Sequence, residues 1–262
     1  MFELFLDAYR YRKLIWLLTL KELKIRYHRS LLGFFWALLH PMLMALVLTL
    51  VFSTILRFNV DHYPIFLLST LFPWTFFSQA LAYATESIVG NGELLKKVYV
   101  PPVVFPLAAV LANLINFALS LIPLALLLLV VGFPFHVTWL YLPVPIVLLL
   151  AFTLGLGLIF AAANVFFRDT SHIQQILLAA WFYFSPIIYD LRFIDPRFHI
   201  LFRFNPMLYI LNGFRLAIYG DSHQGLLPSV QSMAAASASA LVVLIVGYWI
   251  FRRYRYSFVY YV

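Results

Sequence analysis

The chain has 262 residues, of which 64% are hydrophobic and only 11% are charged, and its mean hydropathy is +0.94. Soluble domains are about one quarter charged, so this composition indicates an integral membrane protein. Its long apolar runs favour α-helices over barrel strands, because a helix satisfies its own backbone hydrogen bonds. The net charge of +8 is not concentrated in a basic, water-exposed domain. This argues against a nucleic-acid-binding protein.

Residues 1–30 are predicted to form an amphipathic helix on the cytoplasmic membrane surface. Charged residues recur here at helical spacing, whereas Ile15 and Leu18 lean to the other side. The charged positions are Glu3, Asp7, Arg10, Lys13, Lys21 and Lys24. A solvated helix in a small domain is the alternative. Because the segment runs directly into an apolar stretch, the interfacial location is preferred.

Residues 31–262 are predicted to form a transmembrane domain of six spans. The spans cover residues 31–56, 64–85, 103–131, 140–167, 173–189 and 227–251. Each approaches or exceeds the roughly 20 residues that cross the hydrocarbon, except the fifth, which has about 17. Thirteen of the eighteen Lys and Arg residues then fall on the side of the two termini. This asymmetry predicts that both termini are cytoplasmic.

A polar segment at residues 86–102, ESIVGNGELLKKVYVPP, separates the second and third spans. Gly90, Asn91 and Gly92 predict a turn, and Pro101-Pro102 predicts a stop before the next helix. A short charged loop between two spans must lie at a membrane surface. It is therefore a place where a soluble partner could hold the bundle.

Between the fifth and sixth spans, residues 195–219 contain two short apolar pieces that are broken at Asn205-Pro206. Each piece is too short to cross a membrane. The break predicts a re-entrant helical hairpin that enters from the outer face, because broken helices are tolerated where they line a cavity. A pair of amphipathic helices on the outer surface is the alternative.

The sequence offers little support for catalysis. It contains no phosphate-binding G-x-x-x-x-G-K-[ST] loop and no metal-ligand spacing among its histidines, and LGLGL at 154–158 reads as small residues at a helix interface. The carboxylates fall at span ends or in loops, whereas proton-coupled pumps need ionisable groups within the bundle. Transport energy is therefore expected from a separate subunit. An enzyme acting on lipid-linked sugars is the alternative, with Asp190, Asp195 and His199 as its nearest candidates.

Aromatic residues make up 19% of the chain. Interfacial belts and lipid-facing packing explain most such residues. The more specific hypothesis is a transport path lined by aromatic rings. Such rings contact the apolar faces of sugars whatever the order of sugars in a polymer. The candidates for such a lining are Phe34, Trp36, Trp74, Phe77, Trp181, Tyr183 and Tyr189.

Five segments of the chain together carry a family resemblance. They are KIRYHRSLLGFFWALLHPM at 24–42, ELLKKVYVPP after the second span, FFRD at 166–169, SPIIY at 185–189 and NPMLYILNGFR at 205–215. The first resembles the R-Y-x-x-S-x-L-G-x-x-W-x-x-x-x-P signature of the permease subunits of ATP-binding-cassette exporters of surface polysaccharides, and the others resemble later landmarks of that family in the same order. The tail YSFVYYV departs from the family in lacking an acidic residue.

The resemblance implies a homodimer in the cell inner membrane that works with two separate ATPase subunits, which bind ATP and magnesium. It implies a lipid-linked polymer as cargo, either O-antigen on a polyprenyl diphosphate or the capsule or teichoic acid of related exporters. It also implies short outer re-entrant helices and a gate at Asn205 and Pro206. The positions matching the family's ATPase-docking loop and a second contact are Glu86, Asn91, Glu93, Leu94, Lys96, Lys97, Arg168 and Asp169.

Basic residues near the cytoplasmic side have two interpretations. Arg26 and Arg29, with Lys96 and Lys97, are candidates for attracting the diphosphate at a substrate entrance. Anchoring to anionic headgroups, at about 1 kcal/mol for each residue, is the alternative.

Overall fold

The computed structural model describes residues 7–27, 35–55, 62–134, 136–220 and 230–262. Within these ranges the chain is helical and contains no β-strand, as the composition predicts. The helices are α1 (Arg12–Tyr27), α2 (Phe35–Thr49), α3 (Tyr63–Gly90), α4 (Gly92–Lys97), α5 (Val104–Val131), α6 (Pro143–Phe166), α7 (Thr170–Tyr183), α8 (His199–Arg203), α9 (Pro206–Tyr219), α10 (Val230–Tyr254) and α11 (Phe258–Tyr261). Short 3₁₀ turns lie at Val137–Tyr141, Leu191–Phe193 and Pro196–Phe198.

Four helices in the described ranges are long and apolar enough to cross a membrane. They are Tyr63–Gly90, Val104–Val131, Val137–Phe166 and Met233–Tyr254, and they correspond to the second, third, fourth and sixth predicted spans. The first predicted span corresponds to α2 and the π-helical turn that follows it at Leu50–Ile55. Its ends, residues 31–34 and 56, lie outside the described residues. The count of six spans stays a prediction.

The fifth predicted span is a shorter helix than the sequence suggested. α7 has 14 residues and ends at Tyr183, six residues before the predicted end at Tyr189. At about 1.5 Å per residue it is roughly 21 Å long, less than the roughly 30 Å of a hydrocarbon core. The helix stops because Pro186 has no backbone N–H to continue it, and the chain turns at Ser185.

The main core surrounds α3, which is buried along most of its length by α5, α6 and α9. The side chains of Phe66 and Phe77 of α3 are fully buried. Those of Phe152 of α6 and Phe214 of α9 are each 1% exposed. The rings of Phe117 and Phe214 meet edge to face, with centroids 5.9 Å apart. α3 is therefore the central helix of the described bundle.

α6 and α10 touch at the level of their backbones. A β-carbon placed on Gly155 would lie 2.6 Å from the backbone nitrogen of Leu244, and one placed on Gly247 would collide with the carbonyl group of Gly155. Only glycine permits this approach at either position. The interpretation of LGLGL as a helix-packing segment is therefore confirmed.

A second cluster of buried residues lies apart from the main core. It joins Ile15 and Leu18 of α1, Leu95 of α4 and Val104 of α5 with Phe258 of α11. This cluster packs the amphipathic helix, the polar segment and the C-terminal residues against one another. It therefore fixes the end of the bundle that carries most of the candidate docking residues.

Candidate functional site

The turn at Asn91 ties the polar segment to α1. The side chain of Asn91 donates from Nδ2 to the carbonyl of Ser87 at 2.8 Å and accepts at Oδ1 from Nζ of Lys21 at 3.0 Å. Thr19 of α1 also donates to the carbonyl of Ala108 in α5 at 3.3 Å. α1 is thus attached to both helices that the polar segment connects.

The short helix α4 has one buried face and one charged exposed face. Gly92 and Leu95 are buried, whereas Lys96 is exposed and the side chains of Glu93 and Lys97 are 91% and 73% exposed. Glu93 and Lys97 form an i,i+4 ion pair at 3.3 Å. An ion pair this exposed adds little to stability. Its charges are thus available to a binding partner.

The C-terminal residues cover the beginning of α4, a contact that sequence reasoning missed. The side chain of Val262 lies over Gly92, where a β-carbon would collide with it. Phe258 of α11 is fully buried and packs on Phe251 with ring centroids 5.1 Å apart. The aromatic residues of the tail YSFVYYV could have indicated that the tail packs against the bundle. They do not indicate which helix the tail covers.

Arg168 connects the corner before α7 to the same tail. Its Nη2 donates to the carbonyl of Tyr261 at 3.4 Å, and the ring of Tyr261 stacks edge-on against Phe166 at 4.9 Å. Arg168 and Asp169 are exposed. The two parts of the predicted docking set, one in the polar segment and one at residues 168–169, are therefore joined through α11.

The remaining predicted docking residues lie in the same segment. Glu86 is exposed on the last turns of α3, and Leu94 is half-buried on α4. Leu94 packs against the cluster that contains Leu95. The structure thus presents the carboxylate of Glu86 outward and keeps Leu94 partly inside.

Arg26 is built into the bundle. Its Nη1 donates to Oδ1 of Asn113 at 2.9 Å, and its guanidinium group lies 3.9 Å from the ring centroid of Tyr83. These contacts hold Arg26 between α3 and α5. Arg29, the second candidate at the entrance, lies outside the described residues.

The aromatic candidates fall into a buried and an exposed group. Trp74 and Phe77 of α3 are 6% and 0% exposed and meet each other at 5.4 Å, so they belong to the core of this chain. Trp181 is half-buried against the same rings. Trp36 and Tyr183 are exposed. Phe34 lies outside the described residues.

Asn205 fastens the broken helix pair to the turn after α7. Its Oδ1 accepts from the backbone N–H of Met207 at 3.0 Å and from Nε1 of Trp181 at 2.8 Å. Its Nδ2 donates to the carbonyl of Phe184 and to Oγ of Ser185, both at 3.0 Å. Pro206 begins α9, where its missing N–H is tolerated. The break at Asn205-Pro206 is therefore an ordered junction.

Arg215 holds the same turn from the other side. Its Nη2 donates to the carbonyls of Pro186 and Ile187 at 2.6 and 3.2 Å, and its guanidinium group lies 3.8 Å from the ring centroid of Phe66. Tyr63 donates to the next carbonyl, that of Ile188, at 2.7 Å. The landmarks SPIIY and NPMLYILNGFR, distant in sequence, thus contact each other. Tyr189, the last aromatic candidate, donates to the carbonyl of Tyr183 at 2.7 Å.

The candidate residues for an enzyme are engaged in local structure. Asp190 is fully buried and paired with Arg192 at 2.7 Å, and Asp195 lies 3.7 Å from Arg197. Nε2 of His199 lies 3.0 Å from the carbonyl oxygens of Leu191 and Ile194. These contacts account for all three side chains as parts of the 3₁₀ turns.

Comparison with known proteins identifies the family. The profile of the ABC-2 type transporter membrane family matches residues 13–219. The chain belongs to the ABC-2 type transporter family. It is a membrane protein of that family, and the resemblance drawn from its sequence motifs is confirmed.

Three relatives of this ABC-2 chain match it over nearly their whole lengths. It is 36% identical to the O-antigen export system permease protein RfbA of Myxococcus xanthus, with 98% of each chain covered. It is 27% identical to the O-antigen export system permease protein RfbA of Klebsiella pneumoniae, over 94% of this chain and 93% of the relative. It is 26% identical to the polysialic acid transport protein KpsM of Escherichia coli, over 90% and 91%.

Proposed function

We propose that the chain is the permease subunit of an ABC exporter that moves a lipid-linked surface polysaccharide across the cell inner membrane. The names of the relatives support a polysaccharide cargo. Two of the three relatives named above are O-antigen permeases, so O-antigen on a polyprenyl diphosphate is the preferred cargo. Because one relative is a polysialic acid transport protein, export of a capsule polysaccharide is an alternative. Export of teichoic acid is a further alternative within the same family.

ATP hydrolysis is assigned to a partner chain, with two ATPase subunits on a homodimer of this permease. The observation that carries this assignment is the geometry of α4. Its buried face is held by α1 and α11, while Glu93, Lys96 and Lys97 project outward. A short helix fixed on one side and charged on the other can receive a force and pass it to the bundle. Arg168 and Asp169 add a neighbouring contact.

The path of the polysaccharide is assigned to the interface between two copies. α2 exposes several large apolar side chains among its described residues, and α7 exposes several more. On α2 these include Trp36, Leu43, Leu46 and Val47, and on α7 they include Ile173, Ile176, Leu177 and Tyr183. Because Trp74 and Phe77 are buried in the core, Trp36, Tyr183 and the half-buried Trp181 and Tyr189 are the retained candidates for lining the path.

The topology follows from the charge distribution and the hairpin. Both termini are placed in the cytoplasm, with six spans and with α8 and α9 as an outer re-entrant hairpin. Burial of α9 against α3, α6 and α10 supports an insertion of this helix into the bundle rather than a position on its surface. Asn205 and Pro206 then lie at the outer gate.

A charge reversal at Glu93 tests the docking assignment. Glu93→Lys should abolish both glycan export and the stimulation of ATP hydrolysis by the permease, because the exposed carboxylate faces the partner. The variant should still reach the membrane, since Glu93 contributes little to folding. Arg197→Glu is the matched control, because its side chain is 88% exposed and it lies far from α4 along the chain. Unchanged export in Glu93→Lys would remove the docking assignment.

A further inference from the structure

A groove of about 490 Å³ lies beside α4 and has no role in the function proposed above. It is bounded by the residues that precede α1, by the extended segment Tyr99–Pro102, and by the turn between α10 and α11. Binding pockets for small molecules measure about 300–1,000 Å³, so the groove can hold a group larger than a single phosphate.

The walls of the groove combine positive charge with tyrosine rings. Arg10 and Arg255 line it together with one carboxylate, that of Asp7, among the described residues. Arg252 borders a smaller adjoining cavity that shares Asp7 and Arg255 with the groove, and it adds a third positive charge. The rings in the wall belong to Tyr9, Tyr99 and Tyr256. Among the described residues the local charge is therefore positive, which suits a phosphate group.

Arg255 is oriented within this wall by its neighbour. Its Nη2 donates to the hydroxyl of Tyr256 at 2.6 Å, and its guanidinium group lies 4.7 Å from the centroid of that ring. Tyr99, across the groove, is 86% exposed. An arginine held by a ring and faced by an exposed tyrosine offers both charge and an apolar contact to one ligand.

The groove continues a surface of α1 that is suited to anionic lipid. Trp16, Leu17 and Leu20 are exposed on α1, and Lys13 and Lys21 are exposed beside them. Apolar and basic side chains on one exposed face are typical of a helix that lies among headgroups. Tyr9 and Arg10 extend this face to the groove. The groove is thus placed where lipid headgroups are found.

We propose that this groove binds the phosphate or diphosphate headgroup of a lipid in the cytoplasmic leaflet, through Arg10 and Arg255. Arg26, the residue that the sequence suggested for this role, is held by Asn113 and Tyr83 inside the bundle. The inference rests on the proposed function only in placing this end of the molecule at the inner membrane surface. The ligand chemistry follows from the groove itself.

Lipid binding by the purified full chain tests the proposal without the ATPase or transport. The protein in neutral detergent micelles is titrated with phosphatidic acid, with a polyprenyl diphosphate, and with phosphatidylcholine as the lipid lacking net charge. Native mass spectrometry counts the bound lipid. The two phosphate-headed lipids should bind more tightly than phosphatidylcholine, and tighter binding of the polyprenyl diphosphate would identify the exporter's substrate as the occupant.

Substitutions then locate the binding in the groove. Arg10→Gln with Arg255→Gln should weaken binding of the phosphate-headed lipids by about 25-fold, at roughly fivefold per arginine, and leave phosphatidylcholine unchanged. Arg10→Lys with Arg255→Lys keeps the charge and should retain most of the binding. Arg197→Gln is the matched control for loss of one exposed arginine elsewhere. Equal unfolding temperatures would show that the variants remain folded.

Three outcomes would overturn the proposal. One is equal binding of phosphate-headed lipids by the Arg10→Gln, Arg255→Gln variant and the native chain. Another is an equal loss in Arg197→Gln. The third is unchanged lipid binding with lost association of the ATPase, which would make the groove a protein-binding surface. None of these outcomes would refute the permease assignment, whereas failure of Glu93→Lys to affect export would leave the lipid result standing.

Discussion

The side chain of Val262 lies over the α-carbon of Gly92, so the residues after α10 close over the first turn of α4. The ring of Tyr261 in the same tail meets Phe166 edge to face, and the carbonyl of Tyr261 accepts a hydrogen bond from Arg168. α4 is thereby connected to the corner that begins α7. The connection runs through the surface of the bundle, at the end that we assign to the ATPase.

Gly92→Ala should disturb this connection. The added β-carbon would collide with the side chain of Val262, so the tail must move away from the start of α4. We expect a lower unfolding temperature in detergent and a weaker stimulation of ATP hydrolysis by the permease. Gly90→Ala is the control, because a β-carbon there meets nothing within 4 Å. Val262→Ala in the same chain as Gly92→Ala should restore both properties, and a failure of this rescue would contradict the contact.

Gly155→Ala should destabilise the bundle, although the same substitution in an unhindered helix stabilises it by about 1 kcal/mol. The sign reverses because the new β-carbon would meet the backbone of Leu244 at 2.6 Å, and a backbone cannot rotate away. Gly157→Ala should have a smaller effect, since it meets only the β-carbon of Ala84 at 3.0 Å. Thermal unfolding of the two variants in one detergent measures the difference. Equal stability would argue against the backbone contact.

Asn205→Ala and Asn205→Asp separate the roles of its two side-chain atoms. Ala removes the acceptor for Met207 and Trp181, and loss of a helix cap alone costs about 0.5–2 kcal/mol. Asp keeps the acceptor but places a carboxylate beside the carbonyl of Phe184 in a buried site, so it should be more harmful at neutral pH. The deficit of Asn205→Asp should shrink as the pH falls from about 8 to about 5, because the carboxyl group becomes neutral. Unfolding temperatures across this range, with the native chain beside it, provide the measurement.

Arg215→Met should loosen the turn that follows α7. Arg215 binds this turn at Pro186 and Ile187, and Asn205 binds it at Phe184 and Ser185. The substitution leaves the buried carbonyl of Pro186 without this donor, at a cost of about 1–3 kcal/mol, whereas the carbonyl of Ile187 keeps the hydroxyl of Thr70 at 3.3 Å. We expect a lower unfolding temperature and reduced export. Arg203→Met is the matched control, since Arg203 lies in the neighbouring helix α8 but is exposed. Comparable behaviour of the two variants would show that the buried contacts of Arg215 are unimportant.

The long helices were predictable because their apolar runs are interrupted by few charges. α5 begins and ends within a residue of the predicted span. α3 continues five residues beyond its predicted end, since polar residues such as Glu86 do not end a helix and the Gly90-Asn91 turn does. The early end of α7 could have been read from Pro186, but the apolar residues after it suggested a longer span.

Contacts between distant segments were beyond the reach of sequence patterns. Trp36 and Trp74 are the same residue type and both lie in apolar helices, yet one is exposed and the other is buried. Whether a ring is buried depends on which helix packs beside it. The composition of the run does not contain that information. The same holds for Val262 on Gly92 and for Arg215 on the SPIIY turn, which join residues far apart in the chain.

The backbone contact between Gly155 and Gly247 holds α6 and α10 together where they cross. α10 leads into the tail that covers α4, and the 3₁₀ turn before α6 donates from Thr138 to the carbonyl of Ala217 in α9 at 3.0 Å. Two helices in backbone contact cannot slide past each other without losing that contact. We therefore expect a displacement of α4 by a partner to move α6 and α10 together, pivoting about the glycine crossing, and so to reach α9.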